Sequence, residues 1–185
     1  MSGVDIFLVR HGEAAASWGQ HSDPGLSELG QQQAEVVASV LDGRLADSVQ
    51  LVSSPLARAQ ETAAPLARTL GLTPEINDVF REIPSPVPLA ERQGWLRGFM
   101  GQQWHEQPDE LHTWRRNMLD AVQQFPQPVV VFTHFLVINT IVGEVQGKPE
   151  TLVFYPDNGS VTHLRREGDA LQLVALGEQM QTVIN

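Results

Sequence analysis

The sequence contains no cysteine in its 185 residues. That absence excludes a disulfide framework, a thiol nucleophile and a zinc site built on cysteine sulfur, and it fits a reducing compartment. Acidic residues outnumber basic ones by 22 to 12, which gives a formal net charge of -10. An average field of that sign repels nucleic acid and anionic membranes, so the sequence predicts neither as a partner.

Long apolar runs are missing as well. The first run, residues 4–9, has no basic residues before it and is too short for a signal peptide or a membrane span. We therefore expect a cytoplasmic protein. Hydrophobic residues still make up 42% of the chain, which is typical of a globular protein. The length suits one domain over residues 1–185.

Strand-like and helix-like segments alternate along the chain. Five segments are short and rich in β-forming residues and predict strands: residues 4–9, 49–52, 129–132, 160–165 and 171–176. This alternation predicts an α/β fold, a three-layer sandwich with a largely parallel, mixed β-sheet flanked by helices. Residues 83–125 are expected to add a small helical cover segment, entered through an extended, proline-rich loop at 84–88.

Two local features predict where the helix after the second strand begins and bends. Ser54 and Pro55 are typical of an N-cap followed by a first helical residue. Pro65 lies inside the same helix and is expected to kink or divide it.

Polar side chains follow three of the predicted strands. His11 follows the first, Ser53 and Arg58 follow the second, and His134 follows the strand at 129–132. Ligands bind at the carboxyl ends of strands in sheets of this kind. The sequence therefore predicts one site at this edge of the sheet.

These residue types suit phosphoryl chemistry. Arg10 and Arg58 offer planar guanidinium forks that pair with phosphate oxygens, and their charges help to keep His11 neutral and nucleophilic. His134 is expected to donate a hydrogen bond to the phosphoryl group in the transition state. Glu82 is the carboxylic acid expected to protonate the leaving oxygen.

The order of several motifs resembles that of the histidine phosphatase superfamily, also called phosphoglycerate mutase-like. The matching segments are Arg-His-Gly-Glu at 10–13, Leu-Ser-Glu-Leu-Gly at 26–30, the Ser-Ser-Pro segment at 53–63, Phe-Arg-Glu-Ile at 80–83, Val-Phe-Thr-His at 131–134 and Asn-Gly-Ser at 158–160. Together they extend over most of the chain. Arg-His-Gly alone would be weak evidence for this resemblance. Its combination with the Ser-Ser-Pro-x-x-Arg-Ala segment is specific to the family.

The resemblance implies a phosphohistidine intermediate at His11 and a phosphate pocket of Arg10, His11, Arg58 and His134. It also implies that a backbone carbonyl holds the other ring nitrogen of His11, and that no metal or other cofactor takes part. Glu82 is at the position of the family's acid, and Glu13 is its rival for a role near the phosphate.

The sequence departs from the family pattern in three places. Ala14 and Ser17 replace polar residues, so one substrate contact is expected to be missing. Phe135 follows His134 where glycine is usual, and its bulk is expected to narrow the pocket or change its approach. The prolines at 84–88 separate Glu82 from the tryptophan segment at 94–95, which puts the acid and the cover in question more than the phosphate pocket.

Other aromatic and basic residues have two interpretations. Trp95 and Trp104 either line a cover over the cleft or pack in the core. Arg97, Arg115 and Arg116 either meet a second anionic group of the substrate or, as the more ordinary alternative, face solvent. The remaining histidines are scattered, fit no metal motif and are expected at the surface or an interface: His21, His105, His112 and His163.

The leading functional hypothesis is a histidine acid-type phosphatase that hydrolyses small phosphomonoesters without a metal. A phosphoglycerate-type mutase is disfavoured, because residues 84–103 contain only two basic side chains, Arg92 and Arg97. A phosphohistidine or phosphoprotein phosphatase is a further alternative, and so is a non-catalytic phosphate-binding module. Neither the natural substrate nor the oligomeric state follows from the sequence, although a homodimer is a reasonable default.

Overall fold

A computed structural model describes residues 3–16 and 21–180. Within these residues, six strands form one mixed sheet: β1 (Val4–Arg10), β2 (Gln50–Ser53), β3 (Glu75–Ile76), β4 (Val129–Thr133), β5 (Val161–Glu167) and β6 (Ala170–Ala175). Their order is β3-β2-β4-β1-β5-β6. The first four of these are parallel, and β5 and β6 add antiparallel pairs. The five predicted strands are all present, while the sixth, β3, was not predicted.

Five α-helices flank the sheet in the described part of the chain: α1 (Glu28–Asp42), α2 (Ala57–Leu70), α3 (Arg92–Met100), α4 (Asp109–Gln123) and α5 (Phe135–Gln146). Apolar residues of α1 and α2 pack on one face of the sheet, and those of α4 and α5 pack on the other. Alternate residues of β1 and β4 supply both clusters, as expected for strands buried on two faces. The predicted three-layer α/β sandwich is thereby confirmed.

The beginning of α2 differs from the sequence prediction. The helix begins at Ala57 rather than at Pro55, and Leu56 is its N-cap residue. The Ser54 hydroxyl accepts a hydrogen bond from the amide of Leu56. The same hydroxyl also contacts a histidine of the site described below. The carboxylate of Asp23, from a distant loop, instead accepts the amide hydrogen of Ala57 at 2.8 Å.

Pro65 does not divide α2, which runs without a break from Ala57 to Leu70. Division of the helix, one of the two effects predicted for Pro65, was therefore wrong, and a kink stays a prediction. The extended loop predicted at 84–88 is confirmed, because this proline-rich stretch is neither helix nor strand.

Residues 83–125 form α3, α4 and three-residue helical turns at Leu89–Glu91 and Trp104–Glu106. A third apolar cluster, which includes Ile83, Phe99 and Trp104, attaches this segment to the beginning of α5. The segment is therefore packed against the layer of α5 next to the ends of β1 and β4.

Two glycines allow the loop after β1 to lie against α1. A β-carbon on Gly12 would lie 2.6 Å from the carbonyl oxygen of Gly30, and one on Gly30 would lie 2.2 Å from that of Glu13. Backbone therefore meets backbone at this point, and no side chain fits between. This contact fixes the loop that carries His11.

We expect Gly30→Ala to destabilise the fold, because the added methyl group meets backbone that cannot move aside. Overpacking of this kind costs about 1–3 kcal/mol. Gly98→Ala is the matched control, since Gly98 is also helical and its β-carbon would meet nothing within 4 Å. That substitution should stabilise the protein by about 0.5–1 kcal/mol. Urea denaturation of both variants checks the prediction, and equal free energies of unfolding would contradict it.

Candidate active site

The ends of three parallel strands bring the predicted residues together. β4 lies between β1 and β2, with Arg10 beside Thr133 and Ser53 beside Phe132. His11 and His134 each follow their strand by one residue. Their rings come within 5.3 Å, centroid to centroid, at an angle of 61°.

Both ring nitrogens of His11 have a partner. Nδ1 lies 2.7 Å from the carbonyl oxygen of Gly12 and donates to it. Nε2 is 3.2 Å from Nε of Arg58 and accepts from it. Burial, followed by the charges of Arg10 and Arg58, lowers the pKa of His11 well below its ordinary value of 6.5. His11 is therefore a neutral imidazole with its Nε2 lone pair directed at Arg58.

The backbone around His11 is held from three sides. The amide of Gly12 donates to the buried hydroxyl of Thr62 on α2 at 2.9 Å, and the amide of His11 donates to Thr133 O at 3.1 Å. Asn158 donates from its side chain to the carbonyl oxygen of His11 at 3.2 Å. The motifs at 53–63 and 158–160 thus act partly as supports of the histidine loop.

Arg10 and Arg58 are nearly enclosed, with exposed fractions of 7% and 6%. Burial lowers the pKa of Arg10 to about 10, and it also lowers the pKa of Arg58. Arg10 donates through Nη1 to the carbonyl oxygen of Pro156 at 2.9 Å. Its buried Nε has no partner among the described residues.

His134 is fully buried, and its Nε2 is 2.8 Å from the hydroxyl of Ser54. Its Nδ1 has no partner in the described part of the chain. Burial, then the charges of its neighbours, lowers the pKa of His134 well below 6.5. Ser54, expected from the sequence to be an ordinary helix cap, is therefore also the residue that orients the second histidine.

Glu82 lies in the same site and is 5% exposed. Its two oxygens accept hydrogen bonds from the amides of Ile83 at 3.0 Å and of Leu136 at 3.2 Å. Burial raises the pKa of Glu82 above its ordinary 4.5, although the two amides and the charges of Arg58 and Arg92 oppose that shift. The carboxyl group therefore holds its proton at a higher pH than an exposed glutamate does.

A cavity of about 170 Å³ opens beside this cluster. Twelve residues line it: Ala14, His21, Ser22, Pro24, Leu56, Arg58, Arg81, Glu82, Ile83, Pro84, Leu89 and Arg92. Sequence reasoning assigned no site role to Arg81 or Arg92 and expected His21 at the surface or an interface. Arg81 lies within the matched segment at 80–83, beside Glu82. No motif marked His21 or Arg92, because segments that are distant in the sequence bring them to the cavity.

The three departures from the family pattern have different outcomes. Phe135 does not line the cavity, and its effect on the phosphate pocket or on the approach to it stays a prediction. Its buried ring instead lies under Arg10, with the guanidinium carbon 5.1 Å from the ring centroid. Ala14 does line the cavity, and Ser17 lies outside the described residues. The prolines at 84–88 separate Glu82 from the tryptophan segment at 94–95, but Glu82 still lines the cavity.

The other aromatic and basic candidates lie elsewhere. Trp104 is buried in the third apolar cluster and Trp95 packs against it, so neither lines the cavity. Arg115 and Arg116 border a separate surface cavity of about 410 Å³ between α4 and α5. Glu13, the rival acid, is exposed and accepts a hydrogen bond from the hydroxyl of Ser27 at 2.9 Å.

The described residues offer neither a candidate metal site nor a candidate membrane-spanning helix. They contain no group of three or more histidine, aspartate or glutamate side chains placed to hold a metal ion. No helix among them is both long enough and apolar enough to cross a membrane.

The mixed sheet brings two buried histidines and two buried arginines together at its carboxyl edge, an arrangement that suits an anionic group such as phosphate. The family model described as histidine phosphatase superfamily (branch 1) matches residues 6–179. Since this match covers most of the chain, the protein belongs to the histidine phosphatase superfamily.

Curated relatives match over shorter stretches. The PE-PGRS family protein PE_PGRS11 of Mycobacterium tuberculosis is 36% identical over 114 residues, which is 52% of this chain and 19% of that protein. The probable phosphoglycerate mutase GpmB of Yersinia pestis is 37% identical over 84 residues, or 43% of this chain and 38% of that protein. The match thus spans well under half of either relative.

Solved structures show the same fold over nearly the whole chain. The phosphoserine phosphatase of Entamoeba histolytica, in complex with 3-phosphoglyceric acid, has a TM-score of 0.74 at 20% identity and covers 95% of this chain and 98% of its own. The mycobacterial glucosyl-3-phosphoglycerate phosphatase in complex with VO3 has a TM-score of 0.70 at 23% identity and covers 94% of this chain and 98% of its own.

We expect Ser54→Ala to lower kcat/KM on p-nitrophenyl phosphate by roughly 10- to 100-fold. Without the hydroxyl, the ring of His134 is no longer held in the orientation in which it would contact a phosphoryl group. Loss of such a donor altogether costs roughly 10²–10³-fold, so loss of its orientation should cost less. Thr140→Val is the matched control, because the buried Thr140 hydroxyl donates only to Leu136 O in its own helix at 2.7 Å. Equal activities in the two variants, both shown to be folded by thermal denaturation, would contradict this role of Ser54.

Proposed function

We propose that the protein is a metal-independent phosphatase that hydrolyses small phosphomonoesters through a phosphohistidine at His11. The observation that carries the proposal is the state of the buried polar atoms around His11. Nε of Arg10 and Nδ1 of His134 are buried without partners among the described residues. Buried donors are nearly always satisfied, and a phosphoryl group beside His11 would satisfy both.

The neutral state of His11 supports its role as the nucleophile. An imidazole attacks phosphorus through an unprotonated nitrogen, and the hydrogen bond from Nδ1 to Gly12 O leaves Nε2 with its lone pair. In the free protein Arg58 Nε occupies that lone pair at 3.2 Å. We infer that the incoming phosphoryl group takes over the hydrogen bond of Arg58, which then neutralises one of its oxygens.

The reaction proceeds in two steps. In the first, His11 Nε2 forms a bond to phosphorus while the bond from phosphorus to the ester oxygen breaks, and Glu82 gives its proton to the departing oxygen. In the second, water attacks phosphorus, the bond to Nε2 breaks, and the Glu82 carboxylate takes the proton of the water. The raised pKa of Glu82 suits an acid that must be protonated at the start of the cycle.

The size of the cavity supports a small leaving group. About 170 Å³ beside Arg58 and Glu82 accommodates a compact organic group. The names of the two similar structures, a phosphoserine phosphatase and a glucosyl-3-phosphoglycerate phosphatase, describe action on small phosphorylated molecules. They favour this substrate class over a phosphoprotein, and the proposal includes no metal or other cofactor.

A mutase is the second candidate, because one curated relative is named a probable phosphoglycerate mutase. A mutase would use the same phosphohistidine and return the phosphoryl group to the bound molecule instead of to water. Isomerisation of a phosphoglycerate with little phosphate release would favour it over a phosphatase.

We predict that His11→Ala abolishes hydrolysis of p-nitrophenyl phosphate and the formation of a phosphorylated protein. Glu82→Gln should slow hydrolysis of an alkyl phosphate by roughly 10²–10⁴-fold, the usual contribution of a general acid. With p-nitrophenyl phosphate, whose leaving group needs little proton transfer, the same variant should still be phosphorylated and should accumulate that form. Steady-state assays with chelator present and intact mass spectrometry after rapid quenching measure both effects.

Glu13→Gln is the matched control for the acid, since Glu13 is the other carboxylate near the histidine loop but is exposed and bonded to Ser27. Its activity should stay close to that of the wild type. Full turnover by His11→Ala would overturn the proposed nucleophile. Equal losses in Glu13→Gln and Glu82→Gln would overturn the assignment of the acid.

A further inference from the structure

We propose that Arg92 determines specificity by binding a carboxylate on the leaving group, so that the preferred substrates are phosphomonoesters of small carboxylic acids. This inference rests on the proposed phosphatase function and names the substrate class of that site. Arg92 is the first residue of α3 and lines the cavity together with Arg58 and Glu82. It therefore faces the space into which the leaving group would extend.

The guanidinium of Arg92 is held in place by the protein backbone. Its Nη2 donates to the carbonyl oxygen of Ile83 at 2.9 Å, and Ile83 is fully buried and adjacent to Glu82. One guanidinium nitrogen thus fastens the group to the wall of the cavity. The fixed, planar fork then needs little further ordering when it receives a ligand.

No carboxylate of the described residues forms an ion pair with Arg92. The one carboxyl group in the cavity lining belongs to Glu82, whose oxygens already accept two amide hydrogen bonds. Arg92 and the nearby Arg58 thus bring two positive charges to the cavity, and neither forms an ion pair with a carboxylate of the described residues. An anionic ligand would remove that imbalance.

The other basic side chains of the cavity already have partners. Arg81 pairs with Asp78 at 2.9 Å, and Arg58 contacts the nucleophile. His21 accepts the amide hydrogen of Asp23 through Nδ1 at 3.1 Å. Arg92 is left as the fixed cation available to a second group of the substrate.

A carboxylate fits this position better than a second phosphate does. One guanidinium supplies one positive charge, and its unused edge offers two parallel donors that match the two oxygens of a carboxylate. A phosphate carries more charge and would require further cations. The cavity volume of about 170 Å³ also favours a short hydroxy or amino acid as the leaving group.

The test compares substrates that differ only by the carboxylate. Phosphoserine is paired with phosphoethanolamine and phosphoglycolate with methyl phosphate, because the second compound of each pair is the first without its carboxylate. Wild-type kcat/KM should be roughly 10- to 100-fold higher for the acid of each pair, as expected for one charge-assisted hydrogen-bonded pair. Most of the difference should appear in KM.

Arg92→Gln should reduce that preference to less than about threefold, and Arg92→Lys should restore part of it by returning the charge without the fork. Arg97→Gln is the matched control, since Arg97 is exposed on the same helix and outside the cavity. It should leave the preference unchanged. Thermal denaturation of each variant shows whether it is folded.

The outcomes separate this inference from the proposed function. If the wild type hydrolyses both members of each pair equally well, or if Arg92→Gln keeps the preference, the role of Arg92 is wrong while the phosphatase function stands. If the wild type hydrolyses neither these esters nor p-nitrophenyl phosphate, the proposed function itself fails. A preference that falls equally in Arg92→Gln and Arg97→Gln would reveal a general charge effect and would also overturn the assignment.

Discussion

The hydrogen bond from His11 Nδ1 to the carbonyl oxygen of Gly12 is the interaction on which the site depends. It decides which ring nitrogen keeps a free lone pair, and it exists only because the loop after β1 is held in one position. The contact between Gly12 and Gly30 and the hydroxyl of Thr62 provide that position. The orientation of the His11 ring, and with it the position of Nε2, thus depends on backbone packing that involves both α1 and α2.

Local charge and global charge have opposite signs in this protein. The formal net charge is -10, yet the site brings Arg10 and Arg58 together with two buried histidines. Burial in this positive environment keeps both histidines neutral, while burial of Glu82 favours its protonated form. These opposite shifts suit the proposed nucleophile and the proposed acid, and such shifts are the pattern expected where titratable groups take part in a reaction.

Much of the fold and the central residues of the site followed from the sequence, because they depend on local pattern. Buried strands have an apolar pattern of their own, and the side chains that follow them must meet at one edge of the sheet. The two-residue strand β3 (Glu75–Ile76) was missed because it is too short to show any pattern. The contact of Ser54 with His134 and the position of Arg92 in the cavity lining were missed, because each depends on residues that are distant in the sequence.

The most direct test of the central claim is a nitrogen-15 NMR titration of the His11 ring, with His11→Gln used to assign its signals. We predict a neutral ring that carries its proton on Nδ1 and stays neutral as the pH falls through 6.5, because burial and the two arginines lower its pKa. Protonation should begin only well below that value. A ring that becomes charged near pH 6.5, or that carries its proton on Nε2, would contradict a nucleophile poised at Nε2.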